Sequence, residues 1–418
     1  MSSLLLQGLH LVPMAGDPPV IEGSLRIRDG LIQELGDLAP LEGEEVRRFD
    51  GLYAFPGFVQ THVHLCQTLF RGLAEDRPLL PWLREKIWPM EATHTPETLR
   101  ESTRLSLREL LGGGCTTFQS MESVWHTSAV FEELSNHPVR AILGNALMDD
   151  KTVPGLPPGF ARDTQDSLDE TDRLIEAYHG HDDRLFFAYN PRFVLSCTED
   201  LLREVARRAQ AKGLRVHTHA AEHPGETQAI LERYGKKNLA LLDDLGLLGP
   251  HTTLAHCVQM DEQERAILEQ SGASVAHCPS TNLKLGSGIA PIHDLRSRGI
   301  PVGLGADGAP CNNRLDPLTE CRQAALLAQY QAGPGKLRAE HAVRMLTIDG
   351  ARALGLDTVC GSLEPGKSAD LVLLDLDAPE LGRGDPFTRL VYSASRHHIR
   401  QVLFRGEFVN PASLWEQP

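Results

Sequence analysis

The sequence predicts an α/β protein in which a TIM-like (β/α)8 barrel carries a small β-sandwich built from both termini. Three observations lead to this prediction. Short apolar segments alternate with amphipathic stretches through the middle of the chain, both ends show strand–turn–strand patterns, and no Gly-x-Gly-x-x-Gly motif follows the first central strand. Alternating strands and helices indicate a parallel sheet. The missing motif disfavours the alternative, an open doubly wound sheet.

The two ends of the chain have the pattern of paired strands. The N-terminal region predicts strands at 4–12 and 47–55 and a hairpin at 22–36 around an Asp-Gly turn. The C-terminal region predicts a strand at 369–376 and a hairpin at 399–409. Neither end has enough apolar residues for a core of its own, so we expect them to pair. The predicted division places the barrel at 56–358, between an N-terminal sandwich segment at 1–55 and a C-terminal sandwich segment at 359–418.

The central region supplies the strands and helices of the predicted barrel. The eight candidate strands are 54–65, 115–121, 140–147, 185–193, 215–222, 252–258, 274–282 and 301–307. Amphipathic stretches between them include 199–212, 227–245 and 261–270. Eight strands separated by helices favour a closed barrel.

Composition excludes several classes of function. The chain has 418 residues, of which 41 are Lys or Arg and 56 are Asp or Glu, so the formal net charge is −15. An acidic chain has no general attraction for nucleic acids or anionic membranes. No run of apolar residues is long enough to span a bilayer, and the eight cysteines include no Cys-x-x-Cys pair. We therefore expect a soluble, cytoplasmic protein with neither nucleic acid nor membrane as partner.

The first candidate site lies at the end of the first barrel strand, in the segment PGFVQTHVHL (56–65). Because side chains alternate along a strand, His62 and His64 point to the same face. At the C-terminal end of a barrel strand that face is the top of the interior, where barrel enzymes hold their sites. Two imidazoles there could chelate a metal. Taken alone, the pair is as easily explained by two half-buried structural histidines.

Three further strand ends carry groups that could bind a metal or work beside one. His217, His219 and Glu222 end the fifth candidate strand, His256 ends the sixth, and Asp307 ends the eighth. The C-terminal ends of parallel barrel strands meet at one rim. Four strand ends bearing such groups favour a catalytic metal site over scattered structural residues.

These segments resemble the amidohydrolase superfamily over nearly the whole chain. The matching pieces are PGFVQTHVHL, HTHAAE (217–222), LAHCV (254–258), GADGAPCNN (305–313) and GSLEPGKSADLVLL (361–374). Within the superfamily the sequence most resembles deaminases of S-adenosylhomocysteine, methylthioadenosine and related nucleosides. Relatives of these deaminases include triazine hydrolases and guanine deaminase.

The resemblance implies one divalent metal per subunit, held by His62, His64, His219 and Asp307. His219 rather than His217 matches the ligand, because Ala-Ala-Glu follows it. Members with two metals use a bridging lysine on the fourth strand, and the segment 185–193 contains none. Three imidazoles and a carboxylate suit Zn²⁺, with Fe²⁺ as the alternative.

The resemblance also implies three catalytic roles in hydrolysis of an aminated ring. Glu222 touches the substrate and moves a proton to a ring nitrogen. His256 orients the attacking oxygen and stabilises developing charge. Asp307 passes a proton to the departing amine. Proton transfers of this kind are each typically worth about 10²–10⁴-fold in rate.

The implied substrate contacts point to two different rings. Glu91 stands where a glutamate of the nucleoside deaminases binds ribose hydroxyls. Arg192 departs from that group, which has a histidine at its position, and Pro-Arg-Phe at 191–193 instead resembles guanine deaminase, where the arginine contacts the purine. Trp82 and Trp88 could form an aromatic wall over a flat ring or pack between helices.

The leading hypothesis is a metal-dependent deaminase of a small aminated heterocycle, above all a 5′-modified adenosine such as 5′-deoxyadenosine, methylthioadenosine or S-adenosylhomocysteine. A guanine or pterin deaminase is the alternative, and a triazine hydrolase is the third hypothesis. Retention of Glu222 and Asp307 suits a leaving group that must be protonated, so ammonia is favoured over chloride. Relatives are commonly homodimers or homotetramers, so we expect a homo-oligomer.

Overall fold

The computed structural model describes residues 3–411 and confirms the predicted fold class. Five strands begin the chain: β1 (Ser3–Leu11), β2 (Ile21–Arg28), β3 (Leu31–Gly36), β4 (Glu45–Arg48) and β5 (Tyr53–Pro56). Nine strands follow: β6 (Phe58–His64), β7 (Cys115–Glu122), β8 (Arg140–Leu147), β9 (Leu185–Pro191), β10 (Arg215–Ala220), β11 (Thr252–His256), β12 (Ser274–His277), β13 (Val302–Leu304) and β14 (Asp307–Gly308). The last three are β15 (Leu371–Leu374), β16 (Ile399–Phe404) and β17 (Glu407–Phe408).

Helices follow most of the barrel strands. Up to the fifth barrel strand they are α1 (Leu79–Trp82), α2 (Trp88–Glu91), α3 (Pro96–Gly112), α4 (Thr127–Ser135), α5 (Thr164–Tyr178) and α6 (Glu199–Lys212). Beyond it they are α7 (Pro224–Tyr234), α8 (Asn238–Asp244), α9 (Glu262–Ser271), α10 (Pro279–Lys284), α11 (Ile292–Ser297), α12 (Ala309–Asn312), α13 (Pro317–Ala332), α14 (Ala339–Leu346), α15 (Ile348–Ala353) and α16 (Pro386–Tyr392). Within the described range, none of these helices is long and apolar enough to cross a membrane.

The barrel closes through its eighth strand, which the structure divides into β13 and β14. The sheet runs β13-β12-β11-β10-β9-β8-β7-β6-β14, with every neighbouring pair parallel. Because the chain leaves the sheet at Gly305 and Ala306, β13 pairs with β12 while β14 pairs with β6. The strand predicted at 301–307 is thus present but interrupted, and Asp307 lies on the piece that closes the ring.

Several predicted elements have different boundaries in the structure. The strand predicted at 54–65 is divided into β5 of the terminal sheet and β6 of the barrel, and the strand predicted at 47–55 is divided between β4 and β5. The strand predicted at 274–282 ends at His277, and Pro279 begins α10, since proline suits the first turn of a helix. The helix predicted at 227–245 is two helices, α7 and α8. Gly235 ends α7 in the left-handed conformation (φ 67°) that glycine adopts at low cost.

Strands from both ends of the chain form one eight-stranded sheet with its own small core. The sheet runs β17-β16-β15-β5-β1-β2-β3, and β4 pairs with β1. The antiparallel pairing of β15 with β5 joins the two ends of the chain. The core residues include Leu6, Leu9, Leu25, Ile27, Ile32, Leu371 and Leu403. The exact division of the chain into three segments stays a prediction.

A buried ion pair ties this sheet to the barrel. The guanidinium of Arg140, at the start of β8, donates to the carboxylate of Asp370 and to Ser368 Oγ, and both charged side chains are almost fully buried. We expect Asp370→Ala to lower the free energy of unfolding by about 3–5 kcal/mol, because it leaves a buried guanidinium without its counter-ion. Urea unfolding followed by circular dichroism measures this change.

The matched control is Asp375→Ala, which removes the carboxylate of a partly exposed pair with Arg400. Such pairs contribute about 0–1 kcal/mol. Equal losses in the two variants would show that burial of the Arg140–Asp370 pair has no special weight.

Candidate metal centre and active site

Four side chains from three strand ends converge at the C-terminal mouth of the barrel. His62 and His64 end β6, His219 lies near the end of β10, and Asp307 begins β14. One ligand atom from each lies within 4.8 Å of the other three. The Nε2 atoms of both His62 and His64 lie 3.2 Å from Asp307 Oδ1. The structure therefore brings together the four residues that the resemblance implied as ligands.

The hydrogen bonds of two of these imidazoles point to a cation between them. His64 Nδ1 lies 2.7 Å from the carbonyl oxygen of Met121, and His219 Nδ1 lies 2.6 Å from that of Arg192. Because a carbonyl can only accept, both Nδ1 atoms carry the proton, and the Nε2 atoms of the neutral rings carry lone pairs. These Nε2 atoms face each other at 3.3 Å. A positive ion bound by both lone pairs satisfies this arrangement.

The protonation states of the cluster suit the same ion. Burial lowers the pKa of His62 to about 4 and lowers that of His219 well below the usual range. Burial by itself raises the pKa of Asp307, but the adjacent His62 and His64 lower it well below its usual value. At neutral pH His62 and His219 are therefore neutral imidazoles and Asp307 is a carboxylate, the forms in which these groups bind metals.

Backbone strain marks the strand ends that carry the site. Ala221, His256 and Asp307 have positive φ angles of 49°, 77° and 60°. Residues other than glycine adopt this left-handed region at a cost, and such residues cluster at functional sites. The strained positions aim His256 and Asp307, and Ala221 directly precedes Glu222.

Glu222 and His256 lie beside the cluster and contact each other. His256 Nε2 is 3.4 Å from Glu222 Oε2 and 3.9 Å from Asp307 Oδ2. Burial, reinforced by the charge of Asp307, raises the pKa of Glu222 well above its usual value. This raised pKa favours the protonated form of Glu222, at a position where the proton can be given to a bound ring.

The sequence reasoning missed two residues that hold these groups in place. Asn282 Oδ1 lies 2.9 Å from His256 Nδ1, and Glu226 Oε2 accepts the backbone N–H of Glu222 at 2.7 Å. Glu226 could have been found, because it completes a capping box with His223 at the start of α7. No local signal indicates Asn282, which lies on α10 within a segment predicted as a strand.

A cavity opens above the cluster and combines the polar groups with an apolar wall. Its lining is His64, Gln67, Leu79, Trp82, Leu83, Arg192, Phe193, His219, Glu222, His256, Leu285 and Asp307. Residues 79–91 form one helical segment in which Leu83–Ile87 is a π-helical turn. Trp82 faces the cavity, whereas Trp88 is fully buried among hydrophobic side chains of the core. Only the first of the two tryptophans thus lies where an aromatic wall was expected.

Glu91 and Arg192, expected to contact different parts of the substrate, are bonded to each other. The Arg192 guanidinium donates to both carboxylate oxygens of Glu91, at 2.6 and 3.0 Å, and Gln67 Nε2 donates to the same carboxylate at 2.8 Å. Although burial opposes the charge, Arg192 keeps the pKa of Glu91 below its usual value. Arg192 lines the cavity, and Glu91 lies behind it and is almost completely buried.

Gln67 is a further cavity residue that the sequence reasoning did not single out. Its Nε2 is held by Glu91, so its Oε1 is the free end, and this buried oxygen has no hydrogen-bond partner among the residues described. Gly308 makes room for it, since a Cβ atom there would lie 2.0 Å from Gln67 Oε1. Its position three residues after His64 was the available signal.

Comparison with known proteins agrees with this geometry. The family model described as "Amidohydrolase family" matches residues 53–409. A 5-methylthioadenosine/S-adenosylhomocysteine deaminase of Moorella thermoacetica is 35% identical over 416 residues, which cover 98% of this chain and 94% of the relative. The solved adenosine deaminase of Xanthomonas campestris, with bound zinc, superposes with a TM-score of 0.90 at 30% identity, covering 99% and 96% of the two chains. Guanine deaminase of E. coli gives 0.89 at 26% identity, covering 98% and 99%.

Proposed function

Because this chain belongs to the amidohydrolase family, we propose that it is a metal-dependent deaminase that releases ammonia from a 5′-modified adenosine. The observation that carries the proposal is the convergence of His62, His64, His219 and Asp307 at one point, with the buried carboxyl group of Glu222 beside them. The similarity to a methylthioadenosine/S-adenosylhomocysteine deaminase over 98% of the chain supports the substrate class.

The donor set fits a divalent metal, and we assign Zn²⁺ rather than Fe²⁺. Three imidazoles and one carboxylate, with two lone pairs meeting at 3.3 Å, are a combination that zinc favours. When bound, such an ion lowers the pKa of a water molecule to about 7 and so makes a nucleophile available at neutral pH. β9 carries no lysine, which supports a single ion.

Glu222 and Asp307 divide the proton transfers. Glu222 delivers its proton to the ring nitrogen next to the carbon that is attacked, which makes that carbon more electrophilic. The water that supplies the attacking oxygen gives its first proton back to Glu222. Asp307 takes the second proton from the attacking oxygen on Oδ2, the carboxylate oxygen that faces His256, and passes it to the departing amine, so that the C–N bond breaks as the C=O bond forms. Ammonia is then a neutral leaving group.

His256 orients the attacking oxygen. Its Nδ1 donates to Asn282 Oδ1 at 2.9 Å, and burial lowers its pKa, so Nε2 of the neutral ring carries a lone pair. This Nε2 is buried, makes no hydrogen bond among the described residues and lies between Glu222 and Asp307. It accepts a hydrogen bond from the attacking oxygen and so directs that oxygen towards the ring carbon.

A panel of substrates tests the proposed function. Purified protein of known metal content is assayed for ammonia with adenosine, 5′-deoxyadenosine, methylthioadenosine, S-adenosylhomocysteine, guanine, a pterin and melamine. We expect turnover of the 5′-modified adenosines. Release of ammonia from none of the seven compounds would contradict the proposed reaction.

A second candidate, deamination of a free base such as guanine or a pterin, is favoured by the Glu91–Arg192 pair. A carboxylate offers about four lone-pair positions, and Arg192 and Gln67 already use three of those on Glu91. Little capacity is left for two ribose hydroxyls. In this candidate Arg192 would donate to a ring carbonyl, and Gln67 Oε1, which has no hydrogen-bond partner among the described residues, would accept a ring N–H. Turnover of guanine or a pterin alone would favour this candidate.

Arg192→His separates the two candidates within one protein. The change removes the guanidinium from the cavity and frees the carboxylate of Glu91 for ribose hydroxyls. We expect the ratio of kcat/KM for methylthioadenosine over guanine to rise by about tenfold or more, the effect of one hydrogen bond of ordinary strength. Arg203→His on the exposed face of α6 is the control. An unchanged ratio would show that Arg192 does not determine which ring the enzyme prefers.

A further inference from the structure

His217 lies two residues before His219 on β10, and its imidazole is bonded to the imidazole of the metal-site residue His62. Both side chains point into the barrel, since side chains alternate along a strand. His217 is completely buried. Its Nε2 lies 2.8 Å from Nδ1 of His62, on the side of that ring away from the metal cluster.

The three imidazoles of the cluster are oriented in two different ways. His64 and His219 donate Nδ1–H to backbone carbonyls, which can only accept, so their tautomers are determined by the main chain. His62 has no such carbonyl partner within residues 3–411. Its Nδ1 is bonded to an imidazole, which can accept in one tautomer and donate in the other.

The cluster requires one of these two tautomers. His62 Nε2 lies 3.2 Å from Asp307 Oδ1, whereas Nδ1 faces His217, so Nε2 is the atom that would offer a lone pair to a metal held by the four residues. In a neutral ring that lone pair exists only when the proton is on Nδ1. His62 must then donate to His217, and His217 Nε2 must be the acceptor. The proton of His217 is left on its Nδ1, which is buried and has no hydrogen-bond partner within residues 3–411.

We propose that His217 is a positioning residue that accepts the Nδ1–H of His62 and thereby holds His62 in the orientation and tautomer that bind the divalent metal. The proposal rests on the metal site of the proposed function. His217 itself is not a ligand, because its Nε2 is already occupied by His62 and its ring lies outside the group of four. Outer partners of ligating histidines typically change metal affinity by about 10–100-fold when they are lost.

Two substitutions distinguish an acceptor from a residue that only fills space. In His217→Gln, Oε1 stands near the position of Nε2 and can still accept from His62. In His217→Leu, the acceptor is lost while an apolar side chain fills the volume. We expect the dissociation constant for Zn²⁺, measured by competition with a chromophoric chelator, to rise about 10–100-fold in the leucine variant and only a few-fold in the glutamine variant. The visible spectrum of bound Co²⁺ should change in the leucine variant.

The control is His137→Leu, which replaces another buried histidine that bonds Glu133 on α4, away from the cluster. Its Zn²⁺ affinity should equal that of the unmodified protein. Unchanged Zn²⁺ affinity in His217→Leu would overturn the proposal. Equal weakening of Zn²⁺ binding by leucine and glutamine would also overturn it, because that result indicates that His217 acts by filling space and not by accepting a hydrogen bond from His62.

If the leucine variant does not fold, imidazole ¹⁵N shifts of the Zn²⁺-loaded, unmodified protein decide. The His217 signals, identified by their absence in His217→Gln, should show a proton on Nδ1, and a proton on Nε2 would overturn the proposal. Failure of the proposed function is separate. An unmodified protein that binds no Zn²⁺ contradicts the metal site and this inference together, whereas missing ammonia release with the expected affinities contradicts only the deaminase reaction.

Discussion

Glu222→Gln is expected to lower kcat by about 10²–10⁴-fold, the usual contribution of a general acid, while metal content and fold are retained. Glutamine has nearly the same shape, so the contact with His256 at 3.4 Å and the hydrogen bond from the Glu222 N–H to Glu226 can persist. What is lost is the carboxyl group, whose pKa burial raises, and with it the ability to give a proton to the ring. Steady-state ammonia release, with metal content measured on the same sample, gives the result.

Glu264→Gln is the matched control for this variant. Glu264 is also a buried glutamate at the start of a helix, where it accepts backbone N–H groups of Leu239 and Asp261, but it does not line the cavity. Its kcat should stay within a few-fold of the unmodified value. A Glu222→Gln enzyme with unchanged kcat would remove Glu222 from proton transfer.

His219→Ala is expected to abolish metal binding and activity together. The substitution removes one of four ligand atoms and leaves the Nε2 lone pair of His64 without the neighbour at 3.3 Å that shares its ion. Because loss of an outer partner alone costs about 10–100-fold in metal affinity, loss of a ligand should cost more than about 100-fold. Equilibrium dialysis against Zn²⁺ and the ammonia assay measure the two effects.

The exposed His181 supplies the control, since His181→Ala removes an imidazole far from the cluster and should change neither quantity. A His219→Ala protein that keeps its metal and its activity would remove His219 from the ligand set. A protein that keeps metal but loses activity would instead make His219 a substrate-facing residue.

Local sequence rules were sufficient to predict the barrel and the four strand ends that carry the candidate site residues. Short apolar segments that alternate with amphipathic ones predict a parallel sheet covered by helices. The common direction of His62 and His64 follows from the two-residue period of a strand, whatever the rest of the fold does. Those rules also predicted that His219, His256 and Asp307 would meet them at one rim, because the C-terminal ends of barrel strands share an edge.

Tertiary structure alone decided which groups bond to one another. Glu91 and Arg192 are 101 residues apart and pair only because the helical segment 79–91 folds over the end of β9. His62 and His217 are 155 residues apart, and their contact depends on β6 and β10, the first and fifth strands of the barrel, facing each other across its interior. Side-chain partners at such separations are set by packing, which a periodic pattern along the chain does not encode. The chemistry of the site was therefore readable from the sequence, whereas the choice of ring, which depends on the Glu91–Arg192 pair, was not.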